Sequence, residues 1–188
     1  MQTKVNLVLL GTLILVWGVT ALTEPAAALD PSARDTDELA ALEDAFATHR
    51  SDPETALELA DAYLALEQPR LAVNALSSTA SSVREDPAVL HRLAMAYEQT
   101  GRMQDAVATA RLARARCARS IGTSDSSYVT PVPARACGER TYAALDMHLS
   151  ALTRMAQWGV TDVQHDDRAR RAYVLAVRSA RIYSASAD

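Results

Sequence analysis

Only a handful of side chains in this chain of 188 residues stand at spacings that chemistry could use. His165, Asp166 and Asp167 form the run QHDD. An imidazole beside two carboxylates has the ligand types of a cation site. Placed directly before a helical pattern, the same three residues are what a helix start calls for: a side-chain cap and first-turn acids set against the helix dipole. The helix cap is the expectation. Ser124, Asp125, Ser126 and Ser127 make a polar loop rather than a triad. His148 falls within a helical pattern and is expected at the surface or in a groove, not on a metal. No nucleophile elbow, phosphate-binding loop or HExxH motif is present. No catalytic residue, metal ligand or cofactor is therefore assigned, and the sequence reads as non-enzymatic, with no small-molecule substrate and no nucleic-acid partner.

The two cysteines offer a different chemistry. Cys117 and Cys137 flank the stretch ARSIGTSDSSYVTPVPARA. A disulfide there would close a loop between two helices and contribute on the order of 3 kcal/mol in the chain-entropy model. The alternative is a pair of buried free thiols. There is no CxxC and no CxxCH, so thiol exchange and haem attachment are not indicated.

The elements that would position these residues follow from composition. The chain is 49% apolar but only 5% aromatic, with six Gly and seven Pro. A core built from Ala, Leu and Val, with few turns, predicts an all-α protein of closely spaced helices. Charge is uneven: eleven acids against Arg34 and Arg50 between Glu24 and Asp61, but thirteen Arg against eight acids from Arg102 onward. Two electrostatically distinct surfaces are one reading and solvated helix faces the other.

The stretch from Val5 to Leu22 carries no charge, with Lys4 before it and Glu24, Asp30 and Asp35 after it. As a helix it would span about 27 Å, close to the thickness of a hydrocarbon core. It reads either as a signal-anchor helix with a cytoplasmic amino terminus or as a signal peptide cleaved near PAAALD. Either way the rest of the chain is expected outside the cytoplasmic membrane, in a bacterial periplasm. An oxidising compartment there permits the disulfide.

The stretches DPETALELADAYLALEQPRLAV, from Asp52, and DPAVLHRLAMAYEQTGRMQDAV, from Asp86, share a skeleton. Asp52 and Pro53 align with Asp86 and Pro87. Leu59, Ala60 and Tyr63 align with Leu93, Ala94 and Tyr97, and Ala72 aligns with Ala106. Each Asp-Pro pair suits a capped helix start. Helices are predicted over roughly 53–66, 69–82, 87–100 and 103–118. This pattern resembles the tetratricopeptide repeat, a helix-turn-helix unit whose length the offset from Asp52 to Asp86 matches. Leu59, Ala60, Tyr63 and Ala72, with Leu93, Ala94, Tyr97, Gly101 and Ala106, occupy its signature positions. The early Trp of that family is replaced by Ala56 and Leu90, and Glu67 stands where the first turn prefers Gly.

The predicted organisation is a signal or anchor segment (1–22), a linker (23–34), and a capping helix plus two units (35–119, with units at 53–86 and 87–119). A Ser/Pro loop (120–136) and a third, degenerate helical hairpin (137–188) complete it. Arrays of this family line an inner groove with the first helix of each unit. Carried over, the resemblance implies a partner-binding groove of Glu54, Leu57, Asp61 and Leu64 with Ala88, His91, Met95 and Glu98. This mixture of acids and apolar residues suits a basic or amphipathic polypeptide segment. The function expected is a protein–protein interaction scaffold of the cell envelope, an accessory subunit or assembly factor of a membrane complex. A maturation factor holding client polypeptides, such as an apocytochrome, is the alternative.

Overall fold

A computed structural model describes residues 31–122 and 137–185, and these are all-α. The order is α1 (Pro31–Thr48), α2 (Pro53–Ala65), α3 (Pro69–Ser77), a 3-10 turn (Val83–Glu85), α4 (Pro87–Gln99), α5 (Met103–Gly122), α6 (Glu139–Gln157) and α7 (Asp167–Ala185). The chain divides into two units between Glu38 and Leu39, within α1, and the core lies wholly in the second. Helices α2 and α3, α4 and α5, and α6 and α7 form three successive hairpins; α4 also packs on α2 and α3, and α6 on α5.

Local chemistry sets the boundaries. Asp52 accepts hydrogen bonds from the Glu54 and Thr55 amides and Asp86 from the Ala88 amide, each with a proline at the first helical position. Asp166 accepts from the Arg168 amide at 2.8 Å, and Asp162 accepts from the amides of Gln164 and His165, so the QHDD run starts a helix. Among the described residues no cluster of His, Cys, Asp and Glu suits a metal ion.

The three hairpin turns share one hydrogen-bonding pattern. The Gln68 amide donates to the Tyr63 carbonyl and the Glu67 amide to Leu64. Arg102 to Tyr97 and Gly101 to Glu98 repeat this in the second hairpin, and Val160 to Met155 and Gly159 to Ala156 repeat it again in the third. This is the Schellman closure of a helix, which needs a left-handed residue just past the cap. Glu67, Gly101 and Gly159 supply it, at φ 57°, 73° and 66°.

Several boundaries differ from the sequence expectation. Helix α1 starts at Pro31 rather than after a linker ending at 34, because proline suits the first helical turn, where no amide donor is needed. Helix α3 ends at Ser77, well short of 82. There the Ser78 and Thr79 hydroxyls donate to the Ala75 and Leu76 carbonyls, and the Ala80 amide turns away to the Arg50 carbonyl. Helix α5 runs on to Gly122, into the expected loop, with the Ser120 hydroxyl bonded to the Cys117 carbonyl in its last turn.

Packing falls into three clusters. The first joins Phe46 of α1 to Leu57, Leu59, Ala60 and Tyr63 of α2, Ala72 and Leu76 of α3, and Val89 and Ala96 of α4. The second joins Ala94, Ala106 and Ala110 to Leu152, Met155, Ala172 and Ala176 across the second and third hairpins. The runs of buried alanine let the backbones approach closely, and Leu and Met fill the remaining volume. The third is small: Leu90, Ala113 and Leu145 around a disulfide between Cys117 and Cys137, whose Cα atoms are 5.2 Å apart. This bridge ties α5 to the start of α6.

Candidate functional site

The first helices of the three hairpins jointly line a cleft of about 410 Å³. Helix α2 contributes Glu54, Leu57, Glu58 and Asp61; α4 contributes Pro87, Ala88, His91 and Arg92; α6 contributes Thr141 and Leu145. The floor is apolar and the rim is charged. Leu57 and Leu145 are buried, whereas Glu54, Glu58 and Asp61 are exposed. Asp61 pairs with Arg92 across the two helices. Burial is the main reason that the His91 imidazole is held down to about 4, with neighbouring His148 and Arg92 adding to it; it is neutral near pH 7.

The third wall of the cleft is braced from outside. Arg114 of α5 pairs with Asp146 and lies over the Tyr142 ring at 5.2 Å, and the disulfide holds Cys137, just ahead of α6. Arg116 of α5 also reaches Glu85 at 3.1 Å.

Behind the cleft lies a buried polar cluster. Glu98 of α4 accepts from the Tyr173 hydroxyl at 2.6 Å and sits 3.0 Å from Nε2 of His148. Both Glu98 and His148 are 5% exposed. The His148 ring stacks on Tyr173 with centroids 6.3 Å apart and meets the edge of His91 at 5.0 Å. Burial pushes the Tyr173 hydroxyl far above its ordinary range, and Glu98 reinforces this, so the phenol stays a donor. One carboxylate thus links the second hairpin to both helices of the third.

Of the eight groove positions expected from the sequence, Glu54, Leu57, Asp61, Ala88 and His91 line the cleft. Leu64 and Met95 do not: Leu64 packs against the first core, and the Met95 sulfur accepts from Arg92. Glu98 is withdrawn from any groove by its burial. It holds the position in α4 that Leu64 holds in α2, but the third hairpin covers it where the first core holds Leu64. His148 likewise departs from the surface or groove position expected of it. It belongs to the stripe Leu145, His148, Leu152, Met155, all buried, and its spacing was the available signal.

The signature residues occupy the helix seams. Leu59, Ala60, Tyr63, Ala72, Ala94 and Ala106 are buried, and Leu93 and Tyr97 are half-buried. Tyr63 and Tyr97 hold the same backbone position in their turns but keep different company. Tyr63 donates to Glu43 of α1 at 2.6 Å, whereas Tyr97 carries the Arg102 guanidinium 4.5 Å from its ring centre. The uncharged stretch Val5–Leu22, the PAAALD run and the Ser124–Ser127 loop lie outside the described residues. Among the described residues no helix is long and apolar enough to cross a membrane.

No protein-family model, curated protein or solved structure matches the chain. Its class is therefore set by its own fold: the described residues form an all-α arrangement of three helical hairpins whose first helices line a mixed acidic and apolar recess.

Proposed function

We infer that this chain is an interaction module, a short solenoid of tetratricopeptide-like hairpins that holds a polypeptide segment of another protein in the α2–α4–α6 cleft. The supporting observation is the cleft's construction from the first helix of each hairpin, the surface that such a repeat array turns inward. Its rim chemistry points to the occupant. Glu54 and Glu58 favour a basic segment, and Leu57, Ala88 and Leu145 receive an adjoining apolar side chain. An acidic tail would meet like charge. The charge-free stretch near the start of the sequence supports a place at the outer face of a bacterial cytoplasmic membrane. There, tethering would raise the effective concentration of membrane partners. The role that follows is an accessory subunit or assembly factor of an envelope complex.

Fluorescence anisotropy with short labelled peptides tests the cleft. A peptide pairing Arg or Lys with Leu or Phe should bind the full chain, weaken as salt rises, and lose about tenfold or more in affinity on combined Glu54→Arg and Glu58→Arg substitution. Equal binding of an acid-tailed peptide, or no effect of the double substitution and of Ala88→Arg, would remove the cleft from the account.

A further inference from the structure

The cluster of Glu98, His148 and Tyr173 does not line the cleft. Its parts come from three helices: Glu98 from α4, His148 from α6 and Tyr173 from α7. The Glu98 carboxylate is engaged at both oxygens, one by Tyr173 and one by His148. Among the described residues Nδ1 of His148 is buried without a hydrogen-bond partner. An edge-on imidazole, His91, lies against this ring, and His91 also lines the cleft. The polar joint between the second and third hairpins thus has one titratable group on its boundary, facing both the joint and the cleft.

We propose that this joint is an acid-sensitive latch: protonation of His91 against His148 loosens the third hairpin, α6 and α7, from the second. Uncharged, the two rings pack edge to face. A proton on His91 places a cation beside a buried imidazole and beside Arg92 of its own helix, in surroundings that desolvate it. The other groups facing His91 are Glu98 from α4, His148 from α6 and, through the stack on His148, Tyr173 from α7. Across the cleft stand Glu54, Glu58 and Asp61 of α2. Of the carboxylates among these, Glu98 alone is buried, and both of its oxygens are already occupied. The disulfide at the α5–α6 junction keeps the loosened hairpin tethered, so the joint can close again when the proton leaves.

The sign follows from the direction of the His91 shift. In the docked chain His91 takes up a proton near pH 4 instead of the 6.5 of a free imidazole. Between these values the undocked form binds a proton that the docked form does not, so docking weakens as pH falls through that window and is complete above it.

Hydrogen exchange followed peptide by peptide on the full chain, corrected for intrinsic rates, tests this. Between pH 7 and pH 4, protection in α6 and α7 should fall by at least tenfold while α2 and α3 hold theirs. His91→Leu and His91→Asn should each flatten the profile. Loss of protection in α2 and α3 in step with α6 and α7 would overturn the latch, as would an unchanged profile in whichever variant folds.

Discussion

Three residues close the hairpins, and the demands on them differ. Glu67, Gly101 and Gly159 all sit at positive φ, where an L side chain costs roughly 1–2 kcal/mol and glycine nothing in steric terms. Glu67 tolerates that cost. Gly101 has a second constraint, since a Cβ there would lie 2.5 Å from the Thr161 carbonyl oxygen in the α6–α7 loop. Two thermal or denaturant titrations follow. Glu67→Gly should stabilise the chain by roughly 0.5–1 kcal/mol, the left-handed strain removed less the added freedom of the unfolded chain. Gly101→Ala should destabilise it by more than about 2 kcal/mol, because backbone strain adds to a backbone clash. An Ala at Gly101 that cost no more than one at an ordinary turn would disprove the close approach. The sequence alone marked both positions as turns and Glu67 as the departure. It did not carry the contact with Thr161, which joins the second hairpin's turn to the third's.

At the scale of elements, the Asp-Pro starts at Asp52 and Asp86 were legible because a cap and its helix are neighbours in sequence. The end of α3 was less so. Its serines and threonine are compatible with continued helix, and what stops it is hydroxyl bonding back to the helix carbonyls together with a tertiary hydrogen bond to Arg50. The α5–α6 junction is where an element's position depends on a covalent bond. Cys117 and Cys137 are separated by 20 in sequence, and their bridge sits in a cluster that shares Leu145 with the cleft. Removing it as Cys117→Ala with Cys137→Ala should lower the unfolding free energy by about 3 kcal/mol in chemical denaturation. Exchange should rise first at the amino-terminal turns of α6, around Thr141 to Leu145. Peptide binding in the cleft should weaken with it. A loss spread evenly over α2 to α5 would show that the bridge acts on the unfolded chain alone.

Over the whole molecule, apolar seams and the buried Glu98 cluster join the hairpins alongside ion pairs and the disulfide. Alanine-lined helix seams set close approach. The Glu98 cluster adds direction, since its hydrogen bonds are satisfied in one docking arrangement. Glu98→Ala should cost roughly 3 kcal/mol by equilibrium unfolding, because His148 and Tyr173 would lose their shared acceptor in a dry site. The cost should exceed that of losing the more exposed Asp61–Arg92 pair, measured through Arg92→Ala. Pairs of that kind contribute at most about 1 kcal/mol. If the two costs proved equal, the cluster would be no more than a surface ion pair in strength.

Local order in this protein follows from near neighbours in the chain. Ala- and Leu-rich periodicity, Asp-Pro starts and the repeat offset between Asp52 and Asp86 account for the helices and their hairpin pairing, while five of the cleft's lining residues were implied by the resemblance to the tetratricopeptide repeat. Which partners distant side chains meet was decided only by tertiary packing. It sank Glu98 and His148 into one buried joint, turned Leu64 and Met95 away from the cleft, and set Thr161 against Gly101. The physical reason is that periodicity reports which face of a helix is covered, whereas the covering element, here the third hairpin, determines whether a polar residue on that face meets water or another side chain.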